Sequence, residues 1–319
     1  MELSLLVHLA LVQAAPEPLP ARFESGRVIV TPATRDGSDA SFYTDTGGGV
    51  FITAGAVKRL GLHAVAATDK DMLDEAGPDA QVVVLPGFRP GKSIPAPPGD
   101  GKLLVLAADR VGDPAFHEDG MLGAAWFAGR VWTWDYPSHT FSLQTDWHPE
   151  AGARPVPLGF KTRADGTQET HFPRITIRVD DKPLDVLLDT GAETRLTANA
   201  LAALNDGKPE IRATSMIVQS QFNAWRSAHP DWRVVEDAQV LTHAAMIEVP
   251  QVEIAGARVG PVWFTLRPDR SFHQFMSSMM DKRIEGAIGG NALEHFVMTI
   301  DYPNASAYFR CAKECMPTP

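Results

Sequence analysis

The feature that most restricts what this chain can fold into is a repeat of itself. Gly120-Met121-Leu122-Gly123 through Val131-Trp132-Thr133-Trp134-Asp135-Tyr136-Pro137 returns as Gly286-Ala287-Ile288-Gly289 through Val297-Met298-Thr299-Ile300-Asp301-Tyr302-Pro303, at a constant offset of 166 residues and without a gap. Identities fall at Gly120/Gly286, Gly123/Gly289, Val131/Val297, Thr133/Thr299, Asp135/Asp301, Tyr136/Tyr302 and Pro137/Pro303, and Phe127 matches Leu293 in character. Upstream of each copy stands an Asp-Thr-Gly, at Phe42-Tyr43-Thr44-Asp45-Thr46-Gly47-Gly48 and at Leu187-Leu188-Asp189-Thr190-Gly191-Ala192. These are offset by 189 − 45 = 144, so the second half carries 166 − 144 = 22 more residues between its aspartate and its Gly-apolar-apolar-Gly element. Repetition in one order marks a duplicated unit, and 319 residues suffice for two of ordinary size. Residues 21–147 are expected to form an N-terminal lobe and 173–311 a C-terminal lobe, with 148–172 as a Pro-, Gly- and charge-rich linker and 312–319 as a tail.

Within each lobe the pattern is mostly strand. Val28–Thr34 and Ala40–Thr44 flank the turn sequence Arg35-Asp36-Gly37-Ser38-Asp39, and Arg174–Val179 and Leu184–Leu188 flank Asp180-Asp181-Lys182-Pro183, so both read as hairpins whose second strand delivers the Asp-Thr-Gly. Further strands are expected at 81–85, 103–107, 246–254 and 262–266, and short helices at Ala54–Leu60, Ala198–Leu204 and Phe272–Met280. Many short strands separated by turn signals predict an all-β body.

Composition narrows the function classes. Hydrophobic residues make up 44% and charged residues 21%, which suits a folded chain with a real core. The net charge of −10, with no Lys/Arg cluster, speaks against a nucleic-acid partner. Leu3–Val12 is an apolar run too short to span a membrane. Followed by Gln13-Ala14-Ala15-Pro16, it has the form of a signal-peptide core within residues 1–20, although Glu2 rather than a basic residue precedes it. Export to a periplasmic or secreted location is therefore expected, with a first apolar strand of a cytoplasmic protein as the alternative. No other stretch approaches transmembrane length. The only cysteines, Cys311 and Cys315, would be a local disulfide in an exported protein and two free thiols in the cytosol. They cannot build a four-ligand zinc site, and the 10 histidines show no ligand spacing, so no metal or other cofactor is expected. No Gly-x-Ser-x-Gly element or phosphate-binding loop is present.

A single Asp-Thr-Gly is well explained as a polar turn after a strand, its carboxylate capping backbone N–H groups. Two copies inside a matched duplication point instead to paired carboxylates. Here the chain resembles the aspartic peptidases. It is bilobal like the pepsin group, while Leu187-Leu188-Asp189-Thr190-Gly191-Ala192 and Gly286-Ala287-Ile288-Gly289-Gly290-Asn291-Ala292-Leu293 are similar to the retroviral-type enzymes and their bacterial relatives. The resemblance covers nearly the whole chain after the first twenty or so residues. It implies a bilobal acid-protease fold, two β-barrel-like lobes with a cleft between them, and an endopeptidase in which Asp45 and Asp189 activate a water against the peptide carbonyl. Like charges in close contact cannot both ionise, so such a pair shares one proton. The ionised member takes a proton from water and the protonated one hydrogen-bonds the carbonyl.

The same resemblance gives the neighbours their jobs. Gly47 and Gly191, lacking a Cβ, let the loops tighten. Thr46 and Thr190 brace the loops against each other. Leu122 and Ile288 pack beneath them, and Gly123 and Gly289 allow close backbone crossing. Two departures stand out: Gly47-Gly48-Gly49 replaces the usual small Ser or Ala, and none of the four tyrosines falls where pepsin-like enzymes carry a flap tyrosine. Phe88, in Pro86-Gly87-Phe88-Arg89-Pro90-Gly91, is the candidate for a flap tip, with a plain surface turn as its alternative. Phe272, Phe275, Met276, Met279 and Met280 have helical spacing and suit either a pocket wall or an amphipathic helix packed on the second lobe. Asp135 and Asp301 read as structural turns before Tyr-Pro. The expected substrate is a peptide or unfolded protein and the expected active unit a monomer. The rival is a peptide-binding protein on the same fold without useful turnover.

Overall fold

Two of the three large sheets repeat one strand order. In the computed structural model, which describes residues 17–69, 73, 77–97, 99–111, 116–150 and 152–317, the first lobe runs Arg27–Val30, Phe42–Thr44, Gly120–Leu122, Val50–Thr53, Lys102–Leu106, Gln81–Val84, Val65–Ala66 across its sheet, with Ala21–Glu24 added at one edge. The second lobe runs Arg174–Val179, Lys182–Leu188, Gly286–Ile288, Ser215–Val218, Val262–Arg267, Met246–Val249, Val234–Val235. The senses also agree, pair by pair: antiparallel, parallel, antiparallel, parallel, antiparallel, antiparallel. The duplication seen in the residues is therefore a duplication of topology, in a mostly β, bilobal chain.

The third sheet joins the lobes. Its order is Glu17–Pro18, Thr140–Gln144, Val131–Asp135, Phe296–Asp301, Ser306–Cys311, Arg154–Pro157. At its centre Thr133 lies opposite Thr299, its own repeat-equivalent, and their hydroxyls are 2.8 Å apart. Two equivalent residues can face each other only where the pseudo-two-fold axis passes between them. Trp126, Phe127, Trp132, Trp134 and Phe141 close the core beside this sheet, all at most 1% exposed, with ring centroids 4.5 to 6.4 Å apart in offset and edge arrangements.

The extra residues of the second lobe have a definite place. Ile52 faces Gly120 and Ile217 faces Gly286, so the offset has already reached 217 − 52 = 165 at that strand. All but one of the 22 inserted residues therefore enter directly after Asp189. They build the antiparallel pair Glu193–Arg195 and Ile211–Ala213, with the helix Ala198–Leu204 between them. Thr197 caps that helix by accepting from Ala200 N at 3.2 Å, and Asn205 ends it at φ 49°. The helix expected at Ala54–Leu60 runs Ala54–Arg59 with Thr53 as its cap.

Several expectations change. The strand expected over 246–254 breaks at Pro250-Gln251 into Met246–Val249 and Val252–Ile254, which pair with different neighbours. The helix Gln219–Ala228, whose polar surface hides an apolar stripe ending in buried Phe222 and Trp225, was not expected. The helix expected at Phe272–Met280 starts earlier and is a π-helical turn over Arg270–Met276. The segment taken as a linker is largely packed: Arg154–Pro157 pairs with Ser306–Cys311, and Leu158 and Phe160 are buried. At the N-terminus, Glu17–Pro18 pairs with Ser142–Leu143 and Leu19 is buried, so residues 17–20 belong to the body. The apolar run of the expected signal peptide lies outside the described residues. In the tail, Met316–Pro317 pairs with Ala257–Arg258, and Cys311 and Cys315 form a disulfide. No helix among the described residues is long and apolar enough to cross a membrane.

Candidate active site

Both aspartates sit where a strand runs out beside the Gly-apolar-apolar-Gly element. Thr44 pairs in parallel with Leu122 and Leu188 with Ile288. The ladder then continues by one bond: Asp45 N donates to Leu122 O at 3.1 Å and Asp189 N to Ile288 O at 3.0 Å. Leu122 and Ile288 are fully buried beneath the loops. A Cβ on Gly123 would stand 2.0 Å from Gly48 O, and one on Gly289 1.9 Å from Thr214 O, so only glycine permits this crossing. Each loop then turns on its own carboxylate. Gly47 N donates to Asp45 Oδ1 at 2.7 Å and Gly191 N to Asp189 Oδ1 at 3.0 Å.

The two loops are locked to each other across the pseudo-axis. Thr46 N donates to Thr190 Oγ1 at 3.2 Å and Thr190 N to Thr46 Oγ1 at 2.9 Å, with both threonines fully buried. Thr46 Oγ1 also donates to Leu188 O at 2.6 Å. Leu188 N bonds Pro173 O at 2.8 Å, but Pro173 has no N–H to return, so the threonine from the other lobe takes the carbonyl that proline leaves unpaired. Among the described residues, Thr190 Oγ1 makes no corresponding bond to Thr44 O. The glycines complete the approach. A Cβ on Gly191 would lie 2.2 Å from Asp45 Cγ, and one on Gly47 would lie 2.8 Å from Asp189 Cγ.

The carboxyl groups of Asp45 and Asp189 are thereby brought close enough for each to shift the other's ionisation. Burial raises the Asp189 carboxyl well above the usual range, and the neighbouring charge and hydrogen bond of Asp45 raise it further. Burial also raises Asp45, while the hydrogen bond from Asp189 and the Gly47 and Gly48 amides pull it back. Both carboxyls are raised, so the pair shares one proton, as expected of two like groups in one buried site.

The unusual Gly48 has a packing reason. A Cβ there would lie 2.5 Å from both Asp45 Oδ2 and Met121 Sδ. In the second lobe the equivalent places hold Ala192 and Ala287, so the lobe with the smaller strand residue carries the larger loop residue. Phe88 is corrected from the expected flap tip. It bridges to Thr34, is flanked by Arg35 N to Gly87 O (3.1 Å) and Arg89 N to Ala33 O (2.9 Å), and packs against the core. Asp135 and Asp301 cap turns, accepting from Ser138 N and Asn304 N at 3.0 Å each. Of the helical apolar set, Phe272 and Met280 are buried, Met276 packs beside them, Met279 is half-buried and Phe275 is exposed.

Sequence reasoning missed three neighbours of the site. Tyr43, buried in the strand leading to Asp45, donates its hydroxyl to Gly191 O at 2.9 Å and so ties one lobe's strand to the other's loop. Arg27 Nη1 reaches Glu193 Oε2 at 3.2 Å, again between lobes. Burial raises the Glu193 carboxyl, and Arg27 partly offsets that. The third is Arg267, whose charge reaches Asp189. A tyrosine in an apolar strand was the available signal for the first; nothing local marks the other two.

No family model and no curated protein matches the sequence. Among solved structures the chain is similar to an aspartic proteinase from Irpex lacteus, at 11% identity over 94% of this chain and 98% of that one, TM-score 0.49. It is similar to edgp at 12% identity over 92% and 94%, TM-score 0.44. It is also similar to a retropepsin-like aspartic protease from Rickettsia conorii at 14% identity over 54% of this chain and all of that one, TM-score 0.29.

Proposed function

We propose that the chain is an aspartic endopeptidase, hydrolysing peptide bonds of peptides or unfolded proteins with a water activated by Asp45 and Asp189 of one and the same chain. The observation that carries this is the meeting of the two carboxyl groups, one from each lobe, on loops that interlock through Thr46 and Thr190. Such a pair supplies both functions that amide hydrolysis needs. The ionised member takes a proton from the water. The protonated member hydrogen-bonds the peptide carbonyl and stabilises the charge that develops on its oxygen. No metal enters the scheme. The active unit is a monomer, because the tandem halves already hold each other at high effective concentration. The chain works outside the cytosol, a reading supported by the Cys311–Cys315 disulfide.

The test is digestion of denatured casein across pH, after exhaustive chelation, with and without a statine-type transition-state mimic. The expected result is a bell-shaped, acid-side profile abolished by the mimic. Binding of the mimic with no hydrolysis at any pH would identify a peptide-binding protein instead. Activity lost on chelation and restored by zinc would overturn the carboxylate mechanism.

A further inference from the structure

Arg267 ends the strand Val262–Arg267 of the second lobe. Strand register fixes the face it occupies. Leu187 pairs with Ala287, Ala287 with Met216, and Met216 with Thr265, while Val218 pairs with Arg267. Paired residues project to one face and alternate along each strand. Arg267 therefore shares a face with Met216, Val218, Ala287 and Leu187. On the other face, Ile217, Phe264, Leu188 and Ile288 fill the main core. The shared face carries a separate apolar cluster with Met216, Phe172 and Met276 only partly covered.

On this face the guanidinium is held on one side and open on the other. Nη1 donates to Gln239 Oε1 at 2.8 Å and to Leu266 O at 3.3 Å. Gln239 is itself buried and braced by Thr242 Oγ1 at 2.5 Å. Among the described residues Nε and Nη2 have no partner and are not sealed from solvent, and no carboxylate lies within ion-pairing distance of Arg267. Burial lowers its pKa to about 10, which leaves it cationic wherever the aspartate pair can share a proton. A half-buried arginine with no carboxylate in direct contact is costly. The Nε/Nη2 edge is the one that grips a carboxylate with two parallel bonds, and fixing Nη1 pre-orients it.

We propose that Arg267 is a specificity-determining residue of the cleft, forming a subsite that takes a carboxylate carried by the bound peptide. This rests on the peptide-hydrolysing reading above. The carboxylate belongs either to a Glu or Asp side chain or to the peptide's free C-terminus, and both present the same two oxygens to the same fork. The partly covered apolar residues beside it would hold a hydrophobic side chain of the same peptide.

The test uses a panel of neutral, C-terminally amidated dodecapeptides with one Glu walked through every position. Each has a matched Gln peptide, and one all-neutral peptide has a free C-terminus. With the wild-type protein, Glu should exceed Gln at one position, or the free terminus the amide, by about tenfold or more in kcat/KM, the gain of a charge-assisted bidentate pair. Arg267→Gln should bring that ratio close to one, and Arg267→Lys should keep only part of it. A wild-type ratio near one throughout the panel would overturn the proposal without any variant. So would an Arg267→Gln protein that slows Glu and Gln peptides equally, since the arginine would then act on the aspartate pair alone. Fluorescence anisotropy of the same peptides on Asp189→Asn protein separates this from the peptidase reading. If the wild-type protein cleaves no peptide of the panel, while Glu-over-Gln binding persists on the Asp189→Asn protein and disappears when Arg267→Gln is added, the subsite stands and the peptidase reading falls. If that binding shows no discrimination, the subsite falls.

Discussion

Replacing the two buried threonines one at a time, Thr46→Val and Thr190→Val, tests the interlock between the lobes. The repeat alone would make them equivalent. The hydrogen bonds make them unequal. Valine keeps the shape and removes the hydroxyl. At position 46 this strips a partner from Thr190 N and from Leu188 O, whose other neighbour is Pro173. At position 190 it strips a partner from Thr46 N only. Leaving a buried backbone group unpaired costs about 1–3 kcal/mol, so the expected losses are about 2–5 kcal/mol for Thr46→Val and about 1–3 kcal/mol for Thr190→Val. With a urea slope of about 3 kcal/mol per molar, a gap of about 1–2 kcal/mol separates the midpoints by about 0.3–0.7 M. Equilibrium urea unfolding followed by tryptophan fluorescence reads it. Equal midpoints, or a lower one for Thr190→Val, would refute the asymmetric interlock.

Asp189→Asn should raise the melting temperature at neutral pH. A carboxyl whose folded pKa is raised contributes stability below its unfolded value near 3.8 and loses it as pH rises through the folded value, so the gain should vanish toward pH 3; scanning calorimetry at both pH values checks it. Gly48→Ala should cut kcat/KM by displacing Asp45, and adding Met121→Ala, which copies the Ala192/Ala287 arrangement, should restore part of it; a double variant no better than the single one would contradict the packing exchange. The joint change Cys311→Ser and Cys315→Ser closes no loop in the unfolded chain and should cost about 2 kcal/mol, matched by reducing agent on the wild type; a melt indifferent to both would show that the bond does not form in solution.

What was legible in the residues was whatever the duplication wrote twice. Asp45 and Asp189, the glycines that let each loop approach the other's aspartate, and the crossing strands all recur in one order, and a repeated pattern survives inspection where a single one does not. The insertion was countable but not placeable, because offsets between motifs cannot say where residues enter. The linker misled for a related reason: Pro and Gly mark turns, yet Leu158 and Phe160 between them are core residues. Phe88 misled because a Pro/Gly-flanked aromatic suits both a flap tip and a bridge, and only the backbone bonds to Ala33 and Arg35 distinguish them. Arg27, Glu193 and Arg267 were invisible because their meaning depends on partners far away in sequence, Glu193 for Arg27 and Gln239 for Arg267.

Mixing two inactive proteins tests the central claim most directly. Asp45→Asn and Asp189→Asn are each expected to abolish casein hydrolysis while preserving the fold, since the pair acts as a unit. The measurement is the kcat/KM of an equimolar mixture of the two variants, equilibrated together at several concentrations. A pair formed within one chain leaves the mixture as inactive as its components at every concentration. Activity that reappears on mixing and rises with concentration would mean that the aspartates meet between chains, and the intrachain pair would be wrong.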